Sequence, residues 1–170
     1  MDQTKIISAK TTPTRYVYAL RLQRFKFYVG ATGNLPKRLS AHFRGKGAAK
    51  ATQEISPIAV ETVYQVDFFQ IAGTPGWKII EALLAAEIAR KLGAGKVRGA
   101  LHGEGWSDTP SENQVKMVRR YRNYLEKGRL CGFFAKIRKL EFVEINFSIE
   151  TKEPLDEHLY DREGFSIDVA

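Results

Sequence analysis

The chain has 170 residues, of which 44% are hydrophobic, with a formal net charge of +8 and a single cysteine. This is the size of one domain, or of one domain with an appendage, and it is long enough to bury a core. The apolar stretches are shorter than the roughly 20 residues of a membrane span, and the first residues lack the apolar core of a signal peptide. The lone Cys131 cannot form an internal disulfide, so an oxidising compartment is not indicated. We therefore expect a protein that does not bind membranes and is cytoplasmic, or nuclear in a eukaryote.

The positive charge is unevenly distributed along the chain. From Phe147 onward there are seven acidic and two basic residues, a net charge of −5, which leaves +13 for the first 146 residues. A body this basic is expected to attract polyanions, and nucleic acids are the commonest of these inside cells. A basic surface that is merely solvated is the alternative.

Two adjacent strands and a helix are predicted after a polar arm at 1–13. "RYVYALRL" and "FKFYVGAT" are rich in aromatic and β-branched residues and are joined by "QR", which predicts a hairpin. The period of two places Tyr16, Tyr18 and Leu20 on one face of the first strand. "LPKRLSAHFRG" predicts a helix that Asn34 begins and Gly45 ends. Its Arg38 and His42 are four residues apart and therefore share one face.

The middle of the chain predicts a loop, a strand and a long helix. "GKGAAKATQEISP" reads as a glycine- and lysine-rich loop that lacks the phosphate-loop pattern. A strand is predicted from Ile58, and "WKIIEALLAAEIARKLG" predicts a helix that Gly93 ends. On this helix Glu87 falls near the middle of the apolar arc and Glu81 towards its edge. A carboxylate that points inward requires a cation, either an Arg or Lys side chain or a metal.

The last third of the chain is predicted to be an extension followed by a tail. A glycine-rich loop precedes a capping box at Thr109, Pro110 and Glu112, which predicts a basic helix that ends at Gly128. "LCGFFAKIRKL" is expected to be helical, and alternation over 142–149 predicts a strand. The acidic residues beyond that strand are expected to form a poorly ordered tail that covers a basic groove by mimicking DNA, or merely aids solubility.

In this order and at these spacings, the motifs over about 14–99 resemble those of the GIY-YIG nuclease family. "YVY" at 16–18 stands where the family has GIY, and "YVG" at 28–30 stands where it has YIG. "ATGNLPKRLSAH" then brings the family's arginine at Arg38. Glu87 matches the glutamate that holds the family's divalent metal. The resemblance implies four parts: an arm at 1–13, a catalytic domain at 14–100, a basic extension at 101–149 and an acidic tail at 150–170.

The resemblance also implies a fold and a reaction. The fold is α/β (α+β), with a three-stranded, mainly antiparallel sheet flanked by helices, and a helical and strand extension. The reaction is endonucleolytic hydrolysis of DNA phosphodiester bonds with Mg²⁺ or Mn²⁺ as cofactor. Tyr18 would be the general base, Glu87 the metal ligand and Arg38 the partner of the scissile phosphate. Tyr28 would orient water or phosphate, and His42 would assist proton transfer, contact the phosphate or make a structural hydrogen bond.

Further basic residues are expected to contact the DNA backbone, which raises affinity without reading sequence. They are Lys37, Arg44, Lys46, Lys50, Arg98, Lys116, Arg119, Arg120 and Arg122. Two alternatives stay open at this point. One is a nucleic-acid-binding module that has kept the fold but not the activity, and the other is an unrelated basic α/β protein whose tyrosines belong to the core. The choice between DNA and RNA, the biological role and the oligomeric state are also open.

Overall fold

The computed structural model describes residues 14–71, 74–100, 106, 112, 116, 119 and 137–140. The predicted arm, the acidic tail, the predicted strand at 142–149 and most of the basic extension lie outside the described residues. The elements in chain order are β1 (Arg15–Leu22), β2 (Lys26–Thr32), α1 (Leu35–Arg44), α2 (Lys50–Glu54), β3 (Pro57–Val66), β4 (Gln70–Ile71), β5 (Thr74–Pro75), α3 (Gly76–Leu92), β6 (Val97–Gly99) and β7 (Ile137–Lys139). Short 3-10 turns at Gln23–Phe25 and Ala94–Lys96 precede β2 and β6.

The main sheet has five strands in the order β6-β2-β1-β3-β7, rather than the three predicted. β1 pairs antiparallel with β2 and with β3, which are the three expected strands. β6 adds to one edge in parallel with β2, and β7 adds to the other edge antiparallel to β3. β6 lies in a predicted loop and β7 in a segment predicted to be helical. Each has three residues, too few to show a period of two, and pairing with an existing edge decides their conformation.

The alternation of side chains in β1 and β2 separates two hydrophobic clusters. Val17, Ala19 and Val29 belong to the cluster that α3 covers. Tyr18 and Leu20 belong to the opposite cluster, which residues of α1 and α2 cover. The helices therefore flank the sheet as the sequence predicts, and the period of two in β1 is confirmed. Both motif tyrosines, Tyr18 and Tyr28, face α1 and α2.

The two helices on the tyrosine side differ in how well their sequences predict them. α1 begins and ends as expected: the Asn34 side chain accepts a hydrogen bond from the Lys37 amide, and Gly45 ends the helix with a φ of 74°. The five residues of α2 lie in the segment that was predicted to be a loop. Their intrinsic helix preference is weak at this length. The Trp106 indole Nε1–H donates a hydrogen bond to the Ala51 carbonyl at 3.0 Å and holds α2 from outside its own segment.

Among the described residues, no helix combines the length and apolarity that crossing a membrane requires.

Gly99 and Gly45 both have a positive φ, but we expect them to differ in how well they tolerate an added side chain. An added Cβ at Gly99, where φ is 92°, would overlap the carbonyl group of Val29 in the neighbouring strand, whereas at Gly45 it would meet open space. We expect Gly99→Ala to lower the free energy of unfolding by about 3 kcal/mol or more, because it adds a backbone clash to the left-handed strain. Gly45→Ala should cost about 1 kcal/mol from strain alone. Urea unfolding of both variants checks this, and equal losses would contradict the close packing of β6 on β2.

Candidate active site

The two motif tyrosines converge because the residue opposite one of them is a glycine. Tyr18 in β1 pairs in register with Gly30 in β2, and the Tyr18 and Tyr28 ring centroids are 6.4 Å apart. A Cβ at Gly30 would lie 2.7 Å from the Tyr18 Oη and 2.9 Å from a ring carbon of Tyr28. Any larger residue would therefore displace the phenols. The glycine of "YVG" makes room for two rings on one face of the sheet.

α1 brings an imidazole and a guanidinium to the Tyr18 phenol. Because Arg38 and His42 are one turn apart, both side chains reach the same point on the sheet. The His42 Nε2 is 2.7 Å from the Tyr18 Oη. The Arg38 Nε donates a hydrogen bond to the same oxygen at 3.3 Å, and its Nη1 donates to the Gly47 carbonyl at 3.0 Å. The predicted set of Tyr18, Tyr28, Arg38 and His42 is thus one cluster.

The direction of the bond between Tyr18 and His42 follows from its neighbours. Arg38 can only donate, so the Tyr18 oxygen accepts from Arg38, and the His42 Nε2 is the acceptor within reach of the phenolic hydrogen. Burial, with the charge of Arg38, lowers the pKa of His42 to about 3, so the imidazole is neutral at pH 7. Burial also raises the pKa of Tyr18 and of Tyr28, while Arg38 lowers both. At neutral pH a protonated phenol therefore faces an unprotonated imidazole nitrogen.

Glu81 is a functional candidate that the sequence interpretation did not select. It lies in the first half of α3, is 9% exposed, and accepts a hydrogen bond from the Ala100 amide at the end of β6. Burial raises its pKa to about 7, although the Ala100 amide and the charge of Lys78 oppose the shift. The negative charge of Glu81 raises the pKa of both Tyr18 and Tyr28, so this carboxylate belongs to the electrostatic surroundings of the phenols.

The prediction that Glu87 points inward is wrong. Its carboxylate accepts hydrogen bonds from Arg90 at 2.7 and 2.9 Å and lies 3.6 Å from the Lys91 ammonium, where the last turns of α3 become exposed. These partners lower the pKa of Glu87, chiefly through the Arg90 hydrogen bond. Glu81 and Glu87 are six residues apart, which puts them about 120° apart around the helix axis. α3 is apolar on nearly all sides, so its sequence does not define which arc faces the site.

The surroundings of Glu81 suit a divalent cation that keeps most of its water. The Ala100 amide and the charge of Lys78 only partly offset the effect of burial on Glu81, so further positive charge would stabilise its ionised form. Among the described residues, no group of three or more His, Cys, Asp or Glu side chains could hold a metal ion. One carboxylate completed by water and substrate oxygens is a ligand set typical of Mg²⁺. Glu81 is a residue that could hold such an ion, whereas the Glu87 carboxylate already pairs with Arg90 and Lys91.

The basic residues predicted to contact DNA fall into three groups. Lys37, Arg44, Lys46 and Lys50 are exposed on α1, the loop after it and α2, although Lys50 lies 3.8 Å from Glu54. Lys116 and Arg119 are exposed helical residues of the extension. The side chains of Arg120 and Arg122 lie outside the described residues.

Arg98 does not belong to this exposed set, which corrects the prediction for it. It is 2% exposed, and its Nη1 donates hydrogen bonds to the Val97 carbonyl at 2.7 Å and to the Ala94 carbonyl at 3.2 Å. Its guanidinium lies 5.0 Å from the centre of the Trp106 ring. A side chain bound into the fold in this way is not available to a phosphate on the surface.

The site therefore combines a phenol directed at a neutral imidazole with a guanidinium and a carboxylate in the same electrostatic environment, a set of groups suited to moving protons beside an anion. Residues 14–83 match the family model described as the GIY-YIG catalytic domain. The matched range includes Tyr18, Tyr28, Arg38, His42 and Glu81 and ends before Glu87. No curated protein and no solved structure matches the chain.

Because its pKa is raised, replacing Glu81 by a residue that cannot ionise is predicted to stabilise the fold at high pH. The folded pKa of about 7 exceeds the ordinary 4.5, so the stability that Glu81 contributes is full below pH 4.5 and is lost as the pH rises through 7. We expect Glu81→Gln, which cannot ionise, to raise the free energy of unfolding by about 1–3 kcal/mol at pH 8 in EDTA, with little change at pH 4.5.

Urea unfolding at both pH values measures this difference. Glu87→Gln is the matched control on the same helix, and it should be neutral or slightly destabilising at pH 8, because it removes contacts with Arg90 and Lys91. Equal stability of Glu81→Gln and the wild type at pH 8 would contradict the burial of an uncompensated carboxylate.

Proposed function

We propose that the protein is a divalent-metal-dependent endonuclease that hydrolyses phosphodiester bonds of DNA. Tyr18 is the general base, His42 receives the phenolic proton, Arg38 binds the scissile phosphate and Glu81 is the metal ligand. The observation that carries the proposal is the 2.7 Å hydrogen bond from the Tyr18 phenol to the neutral imidazole of His42. The match of residues 14–83 to the GIY-YIG catalytic domain supports the reaction class.

Substrate binding must first uncover the phenol. Tyr18 is 0% exposed, and the Arg38 Nε lies on its oxygen at 3.3 Å. A phosphate competes for this guanidinium, because a bidentate, charge-assisted pair is stronger than single hydrogen bonds to a neutral phenol and a carbonyl. Movement of Arg38 from the Tyr18 Oη to the phosphate opens that oxygen to water. Arg38 thus places the phosphate at the base and exposes the base in the same step.

The proton of the attacking water then follows the existing hydrogen bond. Water gives a proton to the Tyr18 Oη while the phenolic proton passes to the His42 Nε2, so Tyr18 stays neutral overall and His42 becomes an imidazolium. The low pKa of His42 opposes this transfer, and the negative charge of the bound phosphate favours it. The hydroxide forms a new bond to phosphorus, the bond from phosphorus to the leaving oxygen breaks, and that oxygen takes a proton from solvent. His42 returns its proton to solvent after turnover.

Charge around the phosphate decides the cost of these transfers. Ionising a phenol at pH 7 requires about 4 kcal/mol from its ordinary pKa near 10, and more when burial raises that pKa further. When bound at Glu81, Mg²⁺ or Mn²⁺ supplies positive charge that stabilises the phosphate and the leaving oxygen. Tyr28 lies between the other groups, with its ring centroid 4.9 Å from that of His42, and we assign it to orienting water or phosphate.

Exposed cations beside Arg38 support DNA as the substrate. Lys37 and Arg44 are two turns apart on α1, and Lys46 follows in the loop whose Gly47 carbonyl binds Arg38. Cations of this kind contact the backbone without reading sequence. We propose the same role for Lys50 and for Lys116, Arg119, Arg120 and Arg122 of the extension.

Cleavage assays with one substitution at each role test the proposal. Supercoiled plasmid, single-stranded DNA, a branched duplex and single-stranded RNA are incubated with Mg²⁺ or EDTA. We expect Mg²⁺-dependent cutting of DNA that Tyr18→Phe and Glu81→Gln each reduce by about 100-fold or more. Glu87→Gln, the control on the same helix, should stay within about threefold of the wild type, because its partners are exposed cations.

Other outcomes would replace parts of the proposal. Loss of activity in Glu87→Gln with activity kept in Glu81→Gln would return the metal to Glu87. Cutting of RNA alone would change the substrate. Binding to every substrate without cutting, at several divalent metals, would favour a non-catalytic nucleic-acid-binding module on the same fold.

A further inference from the structure

Thr52 contacts the side of His42 that faces away from Tyr18. The His42 Nδ1 is 2.8 Å from the Thr52 Oγ1, and that hydroxyl donates its own hydrogen to the Ala49 carbonyl at 2.9 Å. A hydroxyl has one hydrogen, so Thr52 can only accept from His42. The hydrogen of the imidazole is therefore on Nδ1, and the Nε2 carries the lone pair.

The Thr52 end of the chain of hydrogen bonds fixes the tautomer, and the contacts at the Tyr18 end agree with it. With the hydrogen on Nδ1, Nε2 accepts the phenolic hydrogen while Arg38 donates to the phenol oxygen. His42 is 1% exposed, which leaves little room for water to replace either partner. In the opposite tautomer, Nε2–H would face the phenol and could not receive its proton.

The position of Thr52 is itself fixed by α2. Thr52 is buried, and its backbone amide also donates to the Ala49 carbonyl, at 3.0 Å. The carbonyl of Ala51, the residue before Thr52, accepts a hydrogen bond from the Trp106 indole. The hydroxyl is thus held in the middle of a short helix that is packed against the sheet, rather than on a free loop.

We propose that Thr52 is a positioning residue that holds His42 as the Nδ1–H tautomer, with the Nε2 lone pair directed at Tyr18. The catalytic consequence rests on the proposed nuclease mechanism, but the tautomer does not. Thr52→Val keeps the shape of the side chain and removes the acceptor, and Thr52→Ser keeps the acceptor and removes the methyl group. The two variants separate the hydrogen bond from the packing.

The tautomer is read by two-dimensional ¹H–¹⁵N NMR of the full chain with labelled histidines. The signals of His42 are assigned by comparison with His42→Gln, because His102 and His158 also contribute. We expect His42 of the wild type and of Thr52→Ser to have a protonated Nδ1 and an unprotonated Nε2 at pH 7. Thr52→Val should shift His42 to the Nε2–H form or to a mixture.

Cleavage rates under the same conditions test the consequence. We expect Thr52→Val to lower kcat by about 100-fold with little change in KM, and Thr52→Ser to stay within about threefold of the wild type. A wild-type His42 that is the Nε2–H tautomer or an imidazolium would overturn the proposal, whether or not Thr52→Val folds. A Thr52→Val protein that keeps both the tautomer and kcat would overturn it as well. Absence of cutting by the wild type would refute the nuclease, while the NMR spectra would still decide the role of Thr52.

Discussion

The hydrogen bond from Tyr18 to His42 depends on a nearly dry interface between β1 and α1, and the polar groups of the site are arranged around that constraint. Without water, each donor and acceptor needs a protein partner, because an unsatisfied buried polar group costs about 1–3 kcal/mol. The phenol is hydrogen-bonded to His42 and Arg38, and the imidazole is hydrogen-bonded to Thr52. The Thr52 hydroxyl donates to the carbonyl of Ala49, the residue before α2, so the series ends at the backbone. Each of these polar groups therefore has a hydrogen-bond partner, and each of these hydrogen bonds has an assigned donor and acceptor.

Two charges of opposite sign then set the state of the phenol. Arg38 lowers the pKa of Tyr18 and Glu81 raises it, while burial favours the neutral form more than either. In the absence of substrate the proton therefore remains on Tyr18, and His42 remains uncharged. The phenolic hydrogen is directed at an imidazole nitrogen that is free to accept it. A cation near Glu81 would lower the pKa of this phenol, and displacement of Arg38 would raise it.

The positive charge of the body serves the fold as well as any substrate. The Lys26 Nζ donates to the Gly95 carbonyl at 3.0 Å and lies 5.4 Å from the centre of the Trp106 ring, which Arg98 also contacts. These two cations bind carbonyls before and within β6 and pack on a residue that also holds α2. Net charge alone therefore overstates the positive charge on the surface, because these two cations are bound within the fold while Lys37, Arg44 and Lys46 near Arg38 are exposed.

Local patterns in the sequence determined the parts of the site whose geometry is local. Alternation in β1 and β2 fixed the face of the two tyrosines, and the limits of α1 at Asn34 and Gly45 fixed the helix on which Arg38 and His42 lie one turn apart. Only the tertiary structure selected Glu81 over Glu87, because α3 is apolar on nearly all sides and its functional face depends on what packs against it. The tertiary structure also placed Thr52 beside His42, because the five residues of α2 are too few to show a helical period in the sequence. The three-residue strands β6 and β7 likewise take their conformation from the strands with which they pair.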